Sequence, residues 1–211
     1  MSKTNSELPS DAGGVIHYWI GNADTDPQSV SEKGAMWFGS SSSVDNTIKT
    51  RFGSLVDRAL SGGCDDWTVS ANGTLALIIL VDQFTRNIFR GTADAFSGDS
   101  RALELCLEHD DNGTFESFGP MSRVFALMPL QHAENLDIQQ RSIKRFEALV
   151  ESCDDSFRKV LESNAKFARL HHDIIARFGR FPHRNRVLGR TSNAAETAWL
   201  ADDAPTFGQG G

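Results

Sequence analysis

Cysteine is scarce in this chain. Cys64, Cys106 and Cys153 stand far apart in 211 residues, none in a CxxC or other metal-ligand spacing, and three thiols cannot all pair with one another. Free thiols in a reducing cytosol are the simple expectation, and with them a cytoplasmic location. Long apolar runs are missing too. The longest, Leu75 to Val81, falls short of the about 20 residues that cross a bilayer, so no membrane partner is expected. Residues 1–14 are polar, without a basic stretch followed by an apolar one, and predict no signal peptide. Positive charge is in deficit: 21 Lys and Arg face 28 Asp and Glu, for a net charge of -7 and a pI near 5.3. That argues against nucleic acid as the main partner, because covering phosphates takes many Lys and Arg contacts. There is no Gly-rich phosphate loop and no GxSxG, which removes the enzyme classes those motifs announce. No segment alternates apolar and polar residues as a strand would.

What is present is helical periodicity. A short helix is expected around Ile16, Tyr18, Trp19 and Ile20, stopping near Gly21, after a disordered tail over residues 1–14. Residues 22–43, with Gly, Asp, Pro and four successive serines, read as a long loop anchored by Trp37 and Phe38. Ile48, Phe52, Leu55 and Ala59 then mark a helix that Gly62 stops. The run from Thr74 to Phe89 is apolar on every face at its start and should be the central helix. Further helices are expected over 94–109, over 121–128 with Pro129 as its end, over 134–150 and over 155–178, where Gly179 is the C-cap. On the last of these Arg169, Asp173 and Arg177 have the i, i+4 spacing of an outer salt-bridge face. Asn193 and Glu196 have capping-box spacing for a final short helix. Residues 204–211 are expected to be a flexible tail. The fold class is all-α: one domain over residues 1–211, built of antiparallel helix pairs. No regular 34-residue self-similarity is present.

Three segments could carry chemistry. In Asp82 to Gly91, Asp82 and Arg86 are i, i+4 and continue the buried face of Leu75, Ile78 and Ile79, with Arg90 one turn on. A buried charge must be paired, so this is either an internal tie or a ligand site. From Arg177 to Arg190 five arginines and His183 crowd a Gly- and Pro-punctuated connection. Arg binds carboxylate or phosphate through its planar fork, and the connection leads into a capped helix N-terminus, which also favours anions. The plainer reading is that these arginines cap helices and pair with acidic residues. His132 and Glu134, with His171 on the inner stripe of the long helix, could form an acid–base site. His-x-Glu is not a helical ligand spacing and no third ligand is set by local sequence, so no metal is expected.

The segments LALIILVDQFTRNIFRGTADAF, PLQHAENLDIQ and HHDIIARFGRFPHRNRVLGRTS resemble the bacterial "domain of unknown function 924" family, over most of the chain from Tyr18 to Gly208. Asp82, Gln83, Arg86, Asn87, Arg90 and Gly91 match the first motif. His132, Glu134 and Gln139 match the second. His171, Gly179, Arg180, Pro182, His183, Arg184, Asn185, Gly189 and Arg190 match the third. The chain departs from the pattern at Ala133 and Asn135, where Ser and Asp are usual, and at Ala194 and Ala195, where Pro and Glu are. The resemblance implies an all-helical, tetratricopeptide-like fold and no assigned activity.

The leading expectation is a site for a small phosphate- or carboxylate-bearing molecule. Arg86, Arg90, Gln139, Arg180, His183, Arg184, Asn185 and Arg190 are the candidate ligand-binding residues, and His132, Glu134 and His171 the candidate catalytic ones. No cofactor is expected, and the residues leave open whether a reaction follows binding. The alternatives are a helix-pair scaffold for a peptide or partner protein, with Trp19, Trp37 and Phe38 exposed beside an arginine-lined groove, and a purely structural arginine network.

Overall fold

Residues Leu75 to Val81 are too apolar to face water on any side, and every one of them is buried. The rest of the chain is arranged to cover them. In the computed structural model, which describes residues 8–202 and 204–208, the order is α1 (Ser10–Trp19), α2 (Pro27–Phe38), α3 (Ser42–Leu60), α4 (Ala71–Ile78), α5 (Thr85–Ile88), α6 (Asp99–Asp111), α7 (Pro120–His132), α8 (Leu136–Glu151), α9 (Asp155–Phe178) and α10 (Ala194–Leu200). Short 3-10 turns punctuate the connections, and no strand occurs among the described residues. The fold is all-α.

α4 and α5 are one rod joined by a π-helical turn, Ile79–Phe84. It packs against α1, α3, α6 and α7. Short connections make α7–α8 and α8–α9 antiparallel neighbours. Tilted and edge-on rings of Tyr18, Trp19, Phe52, Phe84 and Phe125 fill the centre, with Trp19 5.3 Å from Phe84 and 5.6 Å from Phe125. A smaller cluster of Ile174, Ile175 and Phe181 packs with Phe178, Trp199 and Phe207 at the other end of α9. No helix among the described residues is long and apolar enough to cross a membrane.

Several boundaries differ from the sequence reading. The expected loop over 22–43 contains α2. Asp26 caps it by accepting from the Gln28 N–H at 2.9 Å, Pro27 opens it, and Val30 and Trp37 are buried from its inner face. The disordered tail expected over 1–14 is helical from Ser10, with Ala12 fully buried; residues 1–7 lie outside the described residues. Of the expected flexible tail, 204–208 packs against the body, while 209–211 lies outside the described residues. Pro129 does not end α7, which runs on to His132. A proline inside a helix costs roughly 3 kcal/mol, but residues from Met121 to Gln131 are buried almost without a break. The freed end is capped by Gln139, whose amide donates to the carbonyls of Leu130, Gln131 and Ala133 at 3.3, 2.7 and 2.8 Å. Arg169 pairs with Glu147 rather than with Asp173. Gly179 does take the left-handed C-cap conformation, φ 69°, and Asn193 and Glu196 do form a capping box.

Candidate functional site

The π turn sets the site. Turns of this kind recur at functional positions because they re-aim side chains within an otherwise regular rod. Here the turn ends in Asp82, Gln83 and Phe84, all buried, and hands over to Arg86, Asn87 and Arg90. Asp82 is fully buried, and its carboxylate collects three partners. His132 Nδ1 lies 2.7 Å from Oδ1, Arg86 Nη1 donates to the same oxygen at 3.0 Å, and Gln83 Nε2 donates to Oδ2 at 2.5 Å. Burial alone would raise this carboxyl, but His132, Arg86 and Gln83 outweigh it and hold it below the ordinary range. An ionised Asp82 fixes the His132 proton on Nδ1 and leaves Nε2 as an acceptor. Burial, then Arg86, keep His132 neutral against the pull of Asp82.

The network continues through Asp99 at the start of α6. One oxygen lies 2.8 Å from Arg86 Nη1, and the other accepts from Arg184 Nη1 at 3.0 Å. Acidic and basic groups therefore alternate along His132, Asp82, Arg86, Asp99 and Arg184. The Arg184 guanidinium also sits over the rings of Phe96 and Phe181, 4.6 and 4.5 Å from their centroids. Burial lowers it to about 10, still charged at neutral pH. Its Nε, and Nδ1 of His183, are buried without a hydrogen-bond partner among the described residues.

These groups surround a cavity of about 300 Å³. Arg86, Arg90, His132, His171, His183 and Arg184 all line it, so three segments far apart in sequence do converge. The C-terminal stretch forms part of its wall. Phe207 stacks on His171 with centroids 4.1 Å apart, and the Gly208 carbonyl accepts from Arg90 Nη1 at 2.5 Å. The other edge of Arg90 is held by both oxygens of Asp45, at 2.7 and 2.9 Å.

A model of bacterial proteins of unknown function, DUF924, matches residues 15–204. The chain belongs to that family. A solved structure titled as a protein of unknown function, ATU0120 from Agrobacterium tumefaciens, is similar to this DUF924 chain with a TM-score of 0.75 and 31% identity. The match covers 90% of this chain and 97% of that one. No curated protein matches.

The remaining candidates of this DUF924 chain do not line the cavity. Glu134 accepts from both Arg190 Nη atoms at 2.6 and 2.9 Å and from the Phe181 N–H at 2.8 Å, which clamps the connection after α9 onto the start of α8. Arg180 is held by the nearly inaccessible Glu196, and Asn185 by Ser192, Glu196 and Arg190. Gln139 caps α7, as described above. These residues shape the loop that presents His183 and Arg184. Trp19 and Trp37 are buried rather than exposed; of the three aromatics expected at a scaffold surface, Phe38 alone is open, at 56%. Among the described residues no group of three or more His, Cys, Asp or Glu is arranged to hold a metal. Sequence reasoning missed Asp45, Asp99, Phe96 and Phe207. Asp45, Asp99 and Phe207 sit outside the three motif segments, Phe96 closes the first of them without a polar group to mark it, and only the isolated aromatic in a Gly- and Pro-containing tail hinted at Phe207.

The cavity histidines carry a consequence for pH. His171 donates from Nδ1 to the Phe167 carbonyl at 2.7 Å. Burial lowers it to about 3, and burial with Arg184 and Arg86 nearby lowers His183 to about 3. An unfolded imbalance follows: the free imidazole takes its proton near pH ~6.5, while the folded rings do not. Stability from these rings is complete above that pH and falls as pH drops toward 3, by about 1.4 kcal/mol per pH unit for each ring that stays neutral. Urea unfolding at a series of pH values should show this loss beginning near pH ~6.5. His171→Gln should flatten the slope, and an unchanged slope would remove His171 from the account.

Proposed function

We propose that the cavity binds a small phosphate- or carboxylate-bearing molecule and that the Asp82–His132 pair moves a proton on it. The observation that carries the reading is the convergence of three arginines and three histidines on one cavity of about 300 Å³. Buried polar atoms normally have partners, so Arg184 Nε and His183 Nδ1 point to a ligand group that supplies them. Asp45, Asp82 and Asp99 balance the arginines formally. Nearby Arg184 and Arg86 nonetheless add to burial in disfavouring a proton on His183. A neutral His132 oriented by a buried carboxylate has the arrangement of a general base, with Asp82 stabilising the imidazolium that forms.

The test is a thermal-shift screen of phosphate and carboxylate metabolites. A ligand of the folded state at about a hundred times its Kd adds about 2.7 kcal/mol. Arg184→Lys keeps the charge and loses the fork, so the ligand-induced gain should shrink by about 1–2 kcal/mol. The melting temperature of the free variant should also fall, because Lys cannot lie flat between Phe96 and Phe181. A lower melting temperature with an unchanged ligand shift would leave Arg184 a purely structural residue.

A further inference from the structure

The basic cavity is not closed on all sides. A second hollow, of about 470 Å³, lies between α2 and α9. Trp37, Phe38, Asn164 and Phe167 line both spaces, so the two adjoin across these side chains. The second hollow differs in character. Its walls are mainly apolar, from Val30 and Trp37 on α2 and Phe157 and Val160 on α9, and among the described residues Lys159 is the one charged side chain on it. Among the described residues no carboxylate lines it. Phe38 and Phe167, at the junction, are 56% and 49% exposed, a cost in water that a ligand crossing the junction would remove. The α2 wall runs from Pro27 to Phe38, about 17 Å at the helical rise per residue, which accommodates about a dozen extended methylenes. Gly34 is the floor: a Cβ there would meet nothing within 4 Å.

From this shared wall, with Phe38 and Phe167 exposed on it, we infer that the ligand is a single-chain amphiphile: an anionic phosphate or carboxylate head in the arginine–histidine cavity, and an unbranched alkyl or acyl tail in the groove between α2 and α9. The inference rests on the anion-binding reading above and adds the tail. The absence of acidic residues along the groove suits an anion that must pass or lie beside it. The unpartnered Nε of Arg184 and Nδ1 of His183 mark the polar end, and Phe157 and Val160 mark the apolar one.

The experiment compares Kd values, by calorimetry below the micellar range, for methyl phosphate, dodecyl phosphate, laurate and dodecanol, on the full chain and on Gly34→Trp. Each methylene taken out of water favours binding by about fourfold. Dodecyl phosphate or laurate should therefore bind at least about a hundredfold more tightly than methyl phosphate, even if only part of the tail is covered. Whichever of the two binds more tightly names the head group. Gly34→Trp fills open space and removes a glycine from a helix interior, so it should fold at least as well as the parent. In that variant the advantage of the long tail should drop to less than about tenfold. Equal binding of methyl and dodecyl phosphate would overturn the tail and leave the anion site standing. Dodecanol binding as tightly as dodecyl phosphate would overturn the anionic head. Tail-dependent binding unaffected by Gly34→Trp would overturn the groove as its place. Failure of every probe would take down both readings, and a dimer that Gly34→Trp dissociates would assign the groove to a second copy of the chain.

Discussion

Asp82→Ala should cost about 3–5 kcal/mol of folding stability, the usual result of removing one partner from a buried ion pair. The carboxylate is wholly inaccessible and holds Arg86, His132 and Gln83 at once. Without it, Arg86 keeps Asp99 but loses half of its compensation, and the His132 ring loses the group that fixes its tautomer. Chemical denaturation measures the stability, and the imidazole resonances of His132 report the tautomer. Asp82→Asn separates the two effects. It preserves size and one acceptor, so most of the packing survives while the fixed negative charge is gone. A variant as stable as the parent in both cases would mean that Asp82 is not the anchor of this network.

Gly98→Ala should be nearly as damaging, for a reason that involves no charge. A Cβ on Gly98 would fall 2.0 Å from the Val81 carbonyl oxygen and 2.9 Å from the Val81 side chain. Backbone cannot yield as a flexible side chain can, so the N-terminus of α6 must move off the π turn. Overpacking of this kind costs about 1–3 kcal/mol and occasionally more. The loss should reach beyond stability, because Asp99 is the next residue and bridges Arg86 and Arg184. Any ligand stabilisation seen in the parent should be reduced in Gly98→Ala, even at a temperature where the variant is fully folded. Unchanged melting and unchanged ligand response would show that α6 can shift freely, and that the Asp99 bridge is dispensable.

Helices were legible in the sequence wherever apolar spacing and a chemical stop coincided. α9 is the clearest case: its inner stripe, its start at Asp155 and its glycine C-cap are all local signals. α2 was not legible, because its composition is that of a loop and its helix is held by Trp37, whose indole donates to the Trp19 carbonyl at 3.0 Å, 18 residues away. Pro129 misled for the same reason, since burial of the surrounding α7 outweighs a local preference. In the site, the arginines and histidines could be read because they cluster in motifs. Which of them share a cavity could not be. Arg180 and Arg190 resemble Arg184 in sequence, yet they turn to Glu196 and Glu134, while Arg184 turns to Asp99, 85 residues back along the chain. Partner choice at that range is set by packing, which periodicity does not encode.

The π turn between α4 and α5 also makes the central rod a mechanism with two phases. In an α-helix each residue advances the helix by about 100°, and a π turn holds one residue more than an α turn of the same height. Leu75–Ile78 are thus clocked to the core, and Arg86, Asn87 and Arg90 to the cavity, with Ile79–Phe84 as the offset between them. If the same residues wound as an unbroken α-helix, the hydrophobic half would stay in register and the polar half would swing by about 100°. Arg90 would leave Asp45, and Arg86 would leave the cavity wall. Substitutions along this rod can be judged one at a time by size and polarity, but its winding is not negotiable: the cavity exists at one phase between the two halves, and the π turn holds that phase.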